Sequence, residues 1–322
     1  MKTPTVIFAG TPEFGLASLV ALIESGTVPV AVLTQPDRPA GRGKMLSASP
    51  VKSFAEQQGI AVLQPTTLRD KTTVAELVAM QPDIMIVAAY GLILPQNVLD
   101  IPKHGCLNVH ASLLPRWRGA APIQAAVLSG DATTGISLMA MTAGLDCGPV
   151  YCSASVTIGE DETAGELHDR LALLGGTLLV ESLGDVIGGR IPASEQDANQ
   201  ATYAGKIQKQ DAELDWTVSA DELQRRVRAY NPVPGAFFFV DGSHAVGADE
   251  GDRLRVKCWN AQAVADTGAP PGTVVECGGG GVVIACGSGS LRLESVQLPG
   301  KRRIQAQEFA AQIDLRDKRL SG

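Results

Sequence analysis

Two polar residues two positions apart, Asn108 and His110, have side chains suited to chemistry at a carbonyl carbon. They end the segment 106–110, which has the composition of a short β-strand, and residues two apart on a strand project to the same side. An Asn amide can donate a hydrogen bond to a developing oxyanion, and a His ring can accept a proton from an attacking amine. A structural His hydrogen-bonded beside a buried Asn is an equally good interpretation of these residues alone.

A single acidic residue, Asp146, lies in a loop bracketed by Gly144 and Gly148. A carboxylate near a His can orient its imidazole ring. The commoner role of a lone Asp in a loop is to hydrogen-bond its own backbone in a turn. The sequence therefore makes Asp146 a candidate partner of His110 and leaves the turn as the alternative.

The loop 35–44 is conspicuously basic, with Arg38, Arg42 and Lys44 placed among glycines and prolines. Its cationic groups could hold phosphate, because guanidinium and ammonium groups pair well with phosphate oxygens. The alternative is a loop that is only solvent-exposed, but a loop of this length at the binding edge of a sheet is usually functional.

An irregular segment, residues 112–122, places Arg116 and Arg118 on either side of Trp117. Such a group can contact an anion or a nucleic acid, or it can be a solvated loop with one packed ring. The glycine-rich turn at 10–15 lacks both the Lys of a P-loop and the middle glycine of a dinucleotide fingerprint. A tight turn into a helix is therefore favoured there, which argues against a nucleotide-dependent oxidoreductase.

The elements that must position these residues alternate between strand and helix through the first half of the chain. This rhythm predicts an α/β fold, a Rossmann-like, doubly wound and mostly parallel sheet that binds ligands beyond the carboxyl ends of its strands. The apolar patterns predict strands at 6–9, 28–33, 60–63, 84–88 and 106–109, and helices at 14–25, 50–58 and 73–80.

The second half of the chain has a different character, because short apolar runs are separated by Gly, Pro and Asp. It predicts a small C-terminal OB-like β-barrel, with the four glycines at 278–281 forming a hairpin loop. We therefore expect a catalytic domain at 1–189, a linker at 190–206 and a barrel domain at 207–322. The apolar patterns predict a helix at 223–230 and strands at 236–240, 254–259, 272–276, 282–286 and 291–296.

Composition excludes several classes of protein. The 322 residues are 45% hydrophobic with a net charge of −7, which argues against a wholly basic nucleic-acid coat but not against local basic patches. No apolar run is long enough for a membrane helix, and the chain opens on a strand rather than a secretory segment. Six cysteines without a CxxC pair predict reduced thiols in a cytoplasmic protein. Three cationic clusters in the C-terminal part could grip phosphates or be ordinary surface charge: 225–228, 301–303 and 316–319.

Taken together and in order, these segments resemble the methionyl-tRNA formyltransferase family over nearly the whole chain. The resemblance is strongest in the first 150 residues. Ala111 and Cys147 depart from residues common in relatives, but neither is a reacting group. The segments that carry the resemblance are 8–12, 34–44, 88–95, 108–123 and 144–148.

The resemblance implies a formyl donor, 10-formyltetrahydrofolate, and an acceptor, the α-amine of methionine on initiator methionyl-tRNA. It implies that Asn108 stabilises the oxyanion, that His110 takes the amine proton and that Asp146 holds His110, with no metal. We also expect a monomer. The resemblance suggests folate contacts at Tyr90, Gly91, Leu92, Ile93, Ser112, Leu113, Leu114 and Pro115, and tRNA contacts at Arg38, Arg42, Lys44, Lys206 and Lys209. An amino-sugar formyltransferase and a non-catalytic RNA-binding protein are the alternatives.

Overall fold

The computed structural model describes residues 4–40, 45–241, 253–313, 315 and 319–320. Within them the chain forms two compact units. The first consists of Met1–Pro122, Thr133–Thr157 and His168–Gly205, and the second of Ile123–Ala132, Ile158–Leu167 and Lys206–Gly322.

The strands and helices follow one another closely along the chain. The described strands are β1 (Val6–Gly10), β2 (Ala31–Leu33), β3 (Arg38–Ala40), β4 (Met45–Ser47), β5 (Ala61–Leu63), β6 (Ile84–Ala88), β7 (Cys106–His110), β8 (Arg118–Gly119), β9 (Thr133–Ala140), β10 (Val150–Thr157), β11 (Tyr203–Ala204), β12 (Phe237–Asp241), β13 (Arg253–Val264), β14 (Val274–Gly278), β15 (Gly281–Ala285), β16 (Ser290–Gln297) and β17 (Arg303–Gln305). The described α-helices are α1 (Glu13–Glu24), α2 (Pro50–Gln57), α3 (Lys71–Ala79), α4 (Gln96–Leu99), α5 (Pro122–Ser129), α6 (Ala164–Ile187), α7 (Ala220–Ala229) and α8 (Ala306–Gln312). None of these described helices combines the length and the apolar character that crossing a membrane demands.

The first unit is built on a seven-stranded sheet in the order β10-β9-β7-β6-β1-β2-β5. The strands from β7 to β5 are parallel, and β9 and β10 are antiparallel at one edge. Every residue of β1, β6 and β7 is buried, as expected for central parallel strands with both faces covered. The predicted Rossmann-like, mostly parallel sheet is confirmed.

Local signals in the sequence account for several helix starts. Ser49 accepts a hydrogen bond from the Lys52 amide (3.1 Å) ahead of Pro50, so α2 has both an N-cap and a proline at its first position. Asp70 caps α3 in the same way. One predicted strand is shorter than expected: β2 begins at Ala31, because Val28 and Val30 are exposed before it enters the sheet.

The second unit surrounds its own core with an antiparallel sheet in the order β12-β13-β16-β15-β14, with β17 paired to β16. Trp216, Phe238 and Phe309 are the largest buried side chains in this core. The sheet curls as a half-barrel, and the four-glycine hairpin between β14 and β15 is confirmed. Helix α8 was not predicted from the sequence.

The expected division of the chain at 189 and 207 differs from the two units in two respects, of which the first concerns the expected linker. Residues 190–205 are not a free linker, because Tyr203 and Ala204 of β11 pair in parallel with Arg118 and Gly119 of β8. Their polar, non-periodic sequence conceals this pairing, since a two-residue strand leaves no hydrophobic period to detect.

Two short segments from the first half of the chain belong to the second unit. The Arg225 Nε donates to the Leu128 carbonyl at 3.1 Å, and the Arg228 Nη1 donates to the Glu162 carbonyl at 3.0 Å. Sequence alone could not assign these segments, because the contacts join residues 66 and 97 positions apart.

Candidate active site

Asn108 and His110 lie at the carboxyl end of β7, between β6 and β9. Both side chains are almost completely buried, with relative exposures of 8% and 6%. The Asn108 amide makes no side-chain hydrogen bond to any other residue in the described part of the chain. A buried amide normally finds a partner, so Asn108 retains a donor for a group that enters the site.

The ring of His110 is fixed by a backbone carbonyl. Its Nε2 lies 3.0 Å from the Trp117 carbonyl oxygen, which can only accept a hydrogen bond. Nε2 therefore carries the proton, and Nδ1 is the basic atom of the neutral ring. Nδ1 lies 3.9 Å from the Asp146 Oδ2, so a negative charge stands beside the atom that would be protonated. The structure thus brings the three predicted catalytic residues together.

Asp146 is held from two directions. Its backbone has a φ of 46°, in the left-handed region that few residues other than Gly, Asn and Asp tolerate. Its Oδ2 accepts a hydrogen bond from the Gly119 amide at 2.8 Å, and its carbonyl accepts one from the Gln196 Nε2 at 2.9 Å. The carboxylate is therefore bound by a residue 27 positions away rather than by its own turn.

The segment after His110 is organised by Ser137 on β9. The Ser137 hydroxyl donates to the Ser112 carbonyl at 2.8 Å and accepts from the Leu114 amide at 3.1 Å. Ser112 is itself fully buried, and its hydroxyl donates to the Arg116 carbonyl at 2.6 Å. Sequence analysis did not identify Ser137, because a serine in a mostly apolar strand carries no distinctive signal.

The two arginines around Trp117 have different environments. Arg116 is exposed, and its guanidinium lies 4.3 Å from the centre of the Trp117 ring. Arg118 is only 5% exposed, and its Nε and Nη2 both donate to the Gln196 Oε1, at 3.0 and 2.8 Å. The expectation that both arginines could contact a nucleic acid is wrong for Arg118, because its guanidinium is buried and bonded inside the first unit.

The expected folate-side residues after β6 differ in exposure. The Tyr90 ring is 2% exposed within the apolar core, and burial raises the pKa of its hydroxyl. The Tyr90 carbonyl accepts hydrogen bonds from the Thr11 hydroxyl (3.0 Å) and the Gln35 Nε2 (3.1 Å). Ile93, by contrast, is 83% exposed. The side chains of Tyr90 and Ser112 are therefore closed to a ligand, whereas Leu92 is half-buried and Ile93 is exposed.

The turn between β1 and α1 needs its glycines for packing. A Cβ at Gly10 or Gly15 would lie 2.9 or 2.7 Å from the Ala88 carbonyl oxygen, closer than real Cβ atoms approach backbone. The glycines therefore let α1 pass close to β6. This agrees with the tight turn expected from the missing phosphate-loop residues.

The start of the basic loop 35–44 is held by hydrogen bonds between side chains. The Lys52 Nζ lies 2.7 Å from the Asp37 Oδ2 and 2.9 Å from the Gln64 Oε1, and the Gln64 Nε2 donates to the Asp37 Oδ1 at 2.8 Å. These hydrogen bonds hold the pKa of Asp37 below its usual value. Arg38 is exposed on β3 and donates to the Gln35 side chain. Arg42 and Lys44 lie outside the described residues.

The arginines of the first C-terminal basic cluster, 225–228, donate hydrogen bonds to backbone carbonyls. Arg225 and Arg228 donate to carbonyls as described above, and the Arg226 Nη1 donates to the Glu213 carbonyl at 3.2 Å. These arginines stabilise the second unit, which favours the alternative of ordinary structural charge. Arg316 and Lys318 of the third cluster lie outside the described residues, and Lys206 and Lys209 are exposed at the start of the second unit.

A cationic surface that the sequence did not predict lies on β12, β13 and β17, where positively charged side chains lie over aromatic rings. Arg255 lies 4.6 Å from the centre of the Phe237 ring, and Arg303 lies 3.7 Å from the centre of the Trp259 ring. Burial and the positive charges of Arg255 and Arg303 lower the pKa of Lys257 on the same surface. We call this the cation–aromatic face; its members are Phe237, Phe239, Arg253, Arg255, Lys257, Trp259 and Arg303.

Comparisons with known proteins define the class of this protein. Residues 3–183 match the formyl transferase family model, and residues 206–313 match the model of the formyl transferase C-terminal domain. The chain is thus a formyl transferase by family.

Two curated relatives define the family further. A methionyl-tRNA formyltransferase of Methylococcus capsulatus is 49% identical over 98% of this chain and 99% of its own length. One of Aromatoleum aromaticum is 51% identical over 94% of this chain and 92% of its own length. The chain belongs to the methionyl-tRNA formyltransferase family.

Solved structures with lower identity share the fold. An N-formyltransferase from Helicobacter canadensis, in complex with folinic acid and dTDP-3-aminofucose, has a TM-score of 0.63 at 16% identity, covering 90% of this chain and 99% of its own. HypX from Aquifex aeolicus, in complex with tetrahydrofolic acid, has a TM-score of 0.60 at 16% identity, covering 96% of this chain and 47% of its own.

Proposed function

We propose that this protein transfers the formyl group of 10-formyltetrahydrofolate to the α-amine of methionine on initiator methionyl-tRNA, forming formylmethionyl-tRNA for translation initiation. The observation that carries this proposal is the convergence of Asn108, His110 and Asp146 at one strand end, in a chain about half identical to methionyl-tRNA formyltransferases. We further propose that it acts as a monomer in the cytoplasm.

The chemistry follows from the geometry. The methionine nitrogen attacks the formyl carbon, and the formyl oxygen becomes an oxyanion that accepts a hydrogen bond from Asn108. The amine proton passes to the Nδ1 of His110, beside the carboxylate of Asp146, which stabilises the charged ring. The bond from the formyl carbon to the folate nitrogen then breaks, and that nitrogen takes up a proton. The products are the formylated amine and tetrahydrofolate.

The two units bind different parts of the substrates in this proposal. The first unit binds the folate around 90–93 and 112–115, where turns at strand ends offer backbone donors and acceptors for the pterin. The tRNA contacts are Arg38, Arg42 and Lys44 of the basic loop in the first unit, and Lys206, Lys209 and the cation–aromatic face in the second. Exposed cations such as Arg255 and Arg303 suit the phosphates of a polyanion.

The decisive experiment incubates the purified protein with 10-formyltetrahydrofolate and methionyl initiator tRNA, and measures formylmethionine after ester hydrolysis. Parallel reactions contain uncharged tRNA or an amino-sugar nucleotide. We expect product only with the charged tRNA. Transfer to the sugar alone would replace the acceptor by that of an amino-sugar formyltransferase. Binding of tRNA without any transfer would support a non-catalytic RNA-binding protein.

The basic loop provides one test of the tRNA surface. We expect Arg42→Ala to raise the KM for methionyl-tRNA, because it removes a cation that neutralises a phosphate, and to reduce the slope of log affinity against log salt by about 1. Arg69→Ala, which makes the same change at an exposed arginine of the first unit, is the matched control. An unchanged salt slope in Arg42→Ala would mean that Arg42 contacts no phosphate.

The cation–aromatic face provides a second test. We expect the double variant Arg255→Gln/Arg303→Gln to weaken tRNA binding and to reduce the salt slope by about 2, because both cations are exposed. The KM for the folate donor should stay at the wild-type value. Arg190→Gln controls for loss of a surface arginine that is paired with Asp185. If the double variant binds tRNA with wild-type affinity and salt dependence, the RNA lies elsewhere.

A further inference from the structure

Gln196 makes hydrogen bonds that join the loop 144–148, which holds Asp146, to a buried arginine. Its Nε2 donates to two carbonyl oxygens of the loop, those of Asp146 (2.9 Å) and Gly148 (2.7 Å). Its Oε1 accepts from the Nε and Nη2 of Arg118 at 3.0 and 2.8 Å. The polar atoms of this one amide are therefore all engaged across three segments of the first unit.

The Gln196 side chain is connected to Asp146 in two ways, directly through the Asp146 carbonyl and indirectly through Arg118. Arg118 is followed by Gly119, whose amide donates to the Asp146 Oδ2 at 2.8 Å. The Gln196 amide therefore fixes the backbone of Asp146 directly. It also binds Arg118, the neighbour in the chain of Gly119, which fixes the side chain of Asp146. Asp146 has a positive φ, a conformation that persists only when its surroundings impose it.

We propose that Gln196 is a positioning residue for the formyl transfer, acting through Asp146 to keep its carboxylate beside the Nδ1 of His110. The inference rests on the proposed function. Small displacements of a catalytic group cost much of the rate, so the hydrogen bonds of Gln196 should influence kcat although its side chain need not touch either substrate. Neither the spacing nor the composition of the polar segment 190–205 marks this residue.

The isosteric variant Gln196→Glu distinguishes a role in positioning Asp146 from a purely structural role in holding the segment 190–205 in place. The glutamate keeps the shape and still accepts from Arg118, but it cannot donate and places a carboxylate against two carbonyl oxygens. We expect kcat to fall on the order of tenfold or more, with the KM values for both substrates within about twofold of wild type. Gln200→Glu adds the same charge four residues away, where the side chain bonds Asp197, and should behave as wild type.

The same substitution in an Asp146→Asn background shows whether Gln196 acts through Asp146. We expect the kcat penalty of Gln196→Glu to shrink to within about twofold there, because residues that act as one unit are not additive. Gln196→Ala, which removes the donor without adding charge, should show the same pattern and serves if the glutamate variant does not fold. A full penalty in both backgrounds, or none in either, would overturn the proposal.

A crystal structure of Gln196→Glu tests the positioning without turnover, so it is independent of whether the wild-type protein formylates tRNA. We expect the Asp146 carboxylate to leave the Gly119 amide. An unmoved carboxylate would refute the role of Gln196. Absence of transfer by the wild-type protein would instead refute the proposed function.

Discussion

The His110→Ala variant should lose about 10² to 10⁴ in kcat, or about 3 to 5 kcal/mol of transition-state stabilisation, while remaining folded. The reason is geometric. The Trp117 carbonyl fixes the proton on Nε2, so Nδ1 beside Asp146 is the only basic atom that the ring offers to the attacking amine. Single-turnover formylation of methionyl-tRNA, measured with saturating folate donor, isolates this step.

The control for this variant is His104→Ala. His104 precedes the opposite, amino-terminal end of β7, so its loss tests the general effect of removing a histidine near this strand. It should leave kcat unchanged. Partial recovery of His110→Ala by added imidazole would support proton transfer by the missing ring. Activity within about fivefold of wild type in His110→Ala would remove His110 from the mechanism.

The second large effect concerns Asn108. We expect Asn108→Ala to lower kcat on the order of 10² to 10³-fold with little change in KM, because the amide stabilises charge that exists only in the transition state. Stability should change little, since the Asn108 side chain makes no hydrogen bond to another described residue. Thermal unfolding and single-turnover formylation together separate these two effects.

Two further variants sharpen this test. Asn108→Asp keeps the shape of the side chain but replaces the donor with a negative charge, so it should be at least as impaired as Asn108→Ala. Asn97→Ala removes an exposed asparagine from α4 and should behave as wild type. If Asn108→Ala raised KM and left kcat intact, Asn108 would bind the ground state rather than the oxyanion.

The shared placement of the candidate catalytic residues Asn108 and His110 could be predicted from the sequence because it follows from local rules. The alternation along β7 places Asn108 and His110 on one side of the strand, and the order of strands and helices predicts the sheet edge at which they lie. The fully apolar strand 84–88 was predicted to the residue, since burial on both faces leaves an unbroken hydrophobic run. Helix starts marked by a cap and a proline were also predictable, as α2 illustrates.

Strands β9 and β10 escaped prediction because polar residues interrupt their hydrophobic patterns. Ser137 and Thr134 are buried on β9, and β10 alternates exposed and half-buried residues. The place of β9 in the sheet depends on its pairing with β7, which no local window contains, and β10 pairs in turn with β9. Residues 123–132 and 158–167 belong to the second unit for the same reason, because their contacts are with residues distant in the chain.

The sequence by itself determined the fold class of this protein and its family, and it predicted the candidate reacting groups, because these depend on residue types and short spacings. Only the tertiary structure decided how those groups are held. It gave His110 its tautomer through the Trp117 carbonyl, placed Asp146 against Gly119, and buried Arg118 on Gln196. Two of these hydrogen bonds involve a backbone group, the Trp117 carbonyl and the Gly119 amide. The third joins the side chains of Arg118 and Gln196, which are far apart in the chain. A sequence records neither, since backbone groups are the same at every position and long-range proximity arises only when the chain folds.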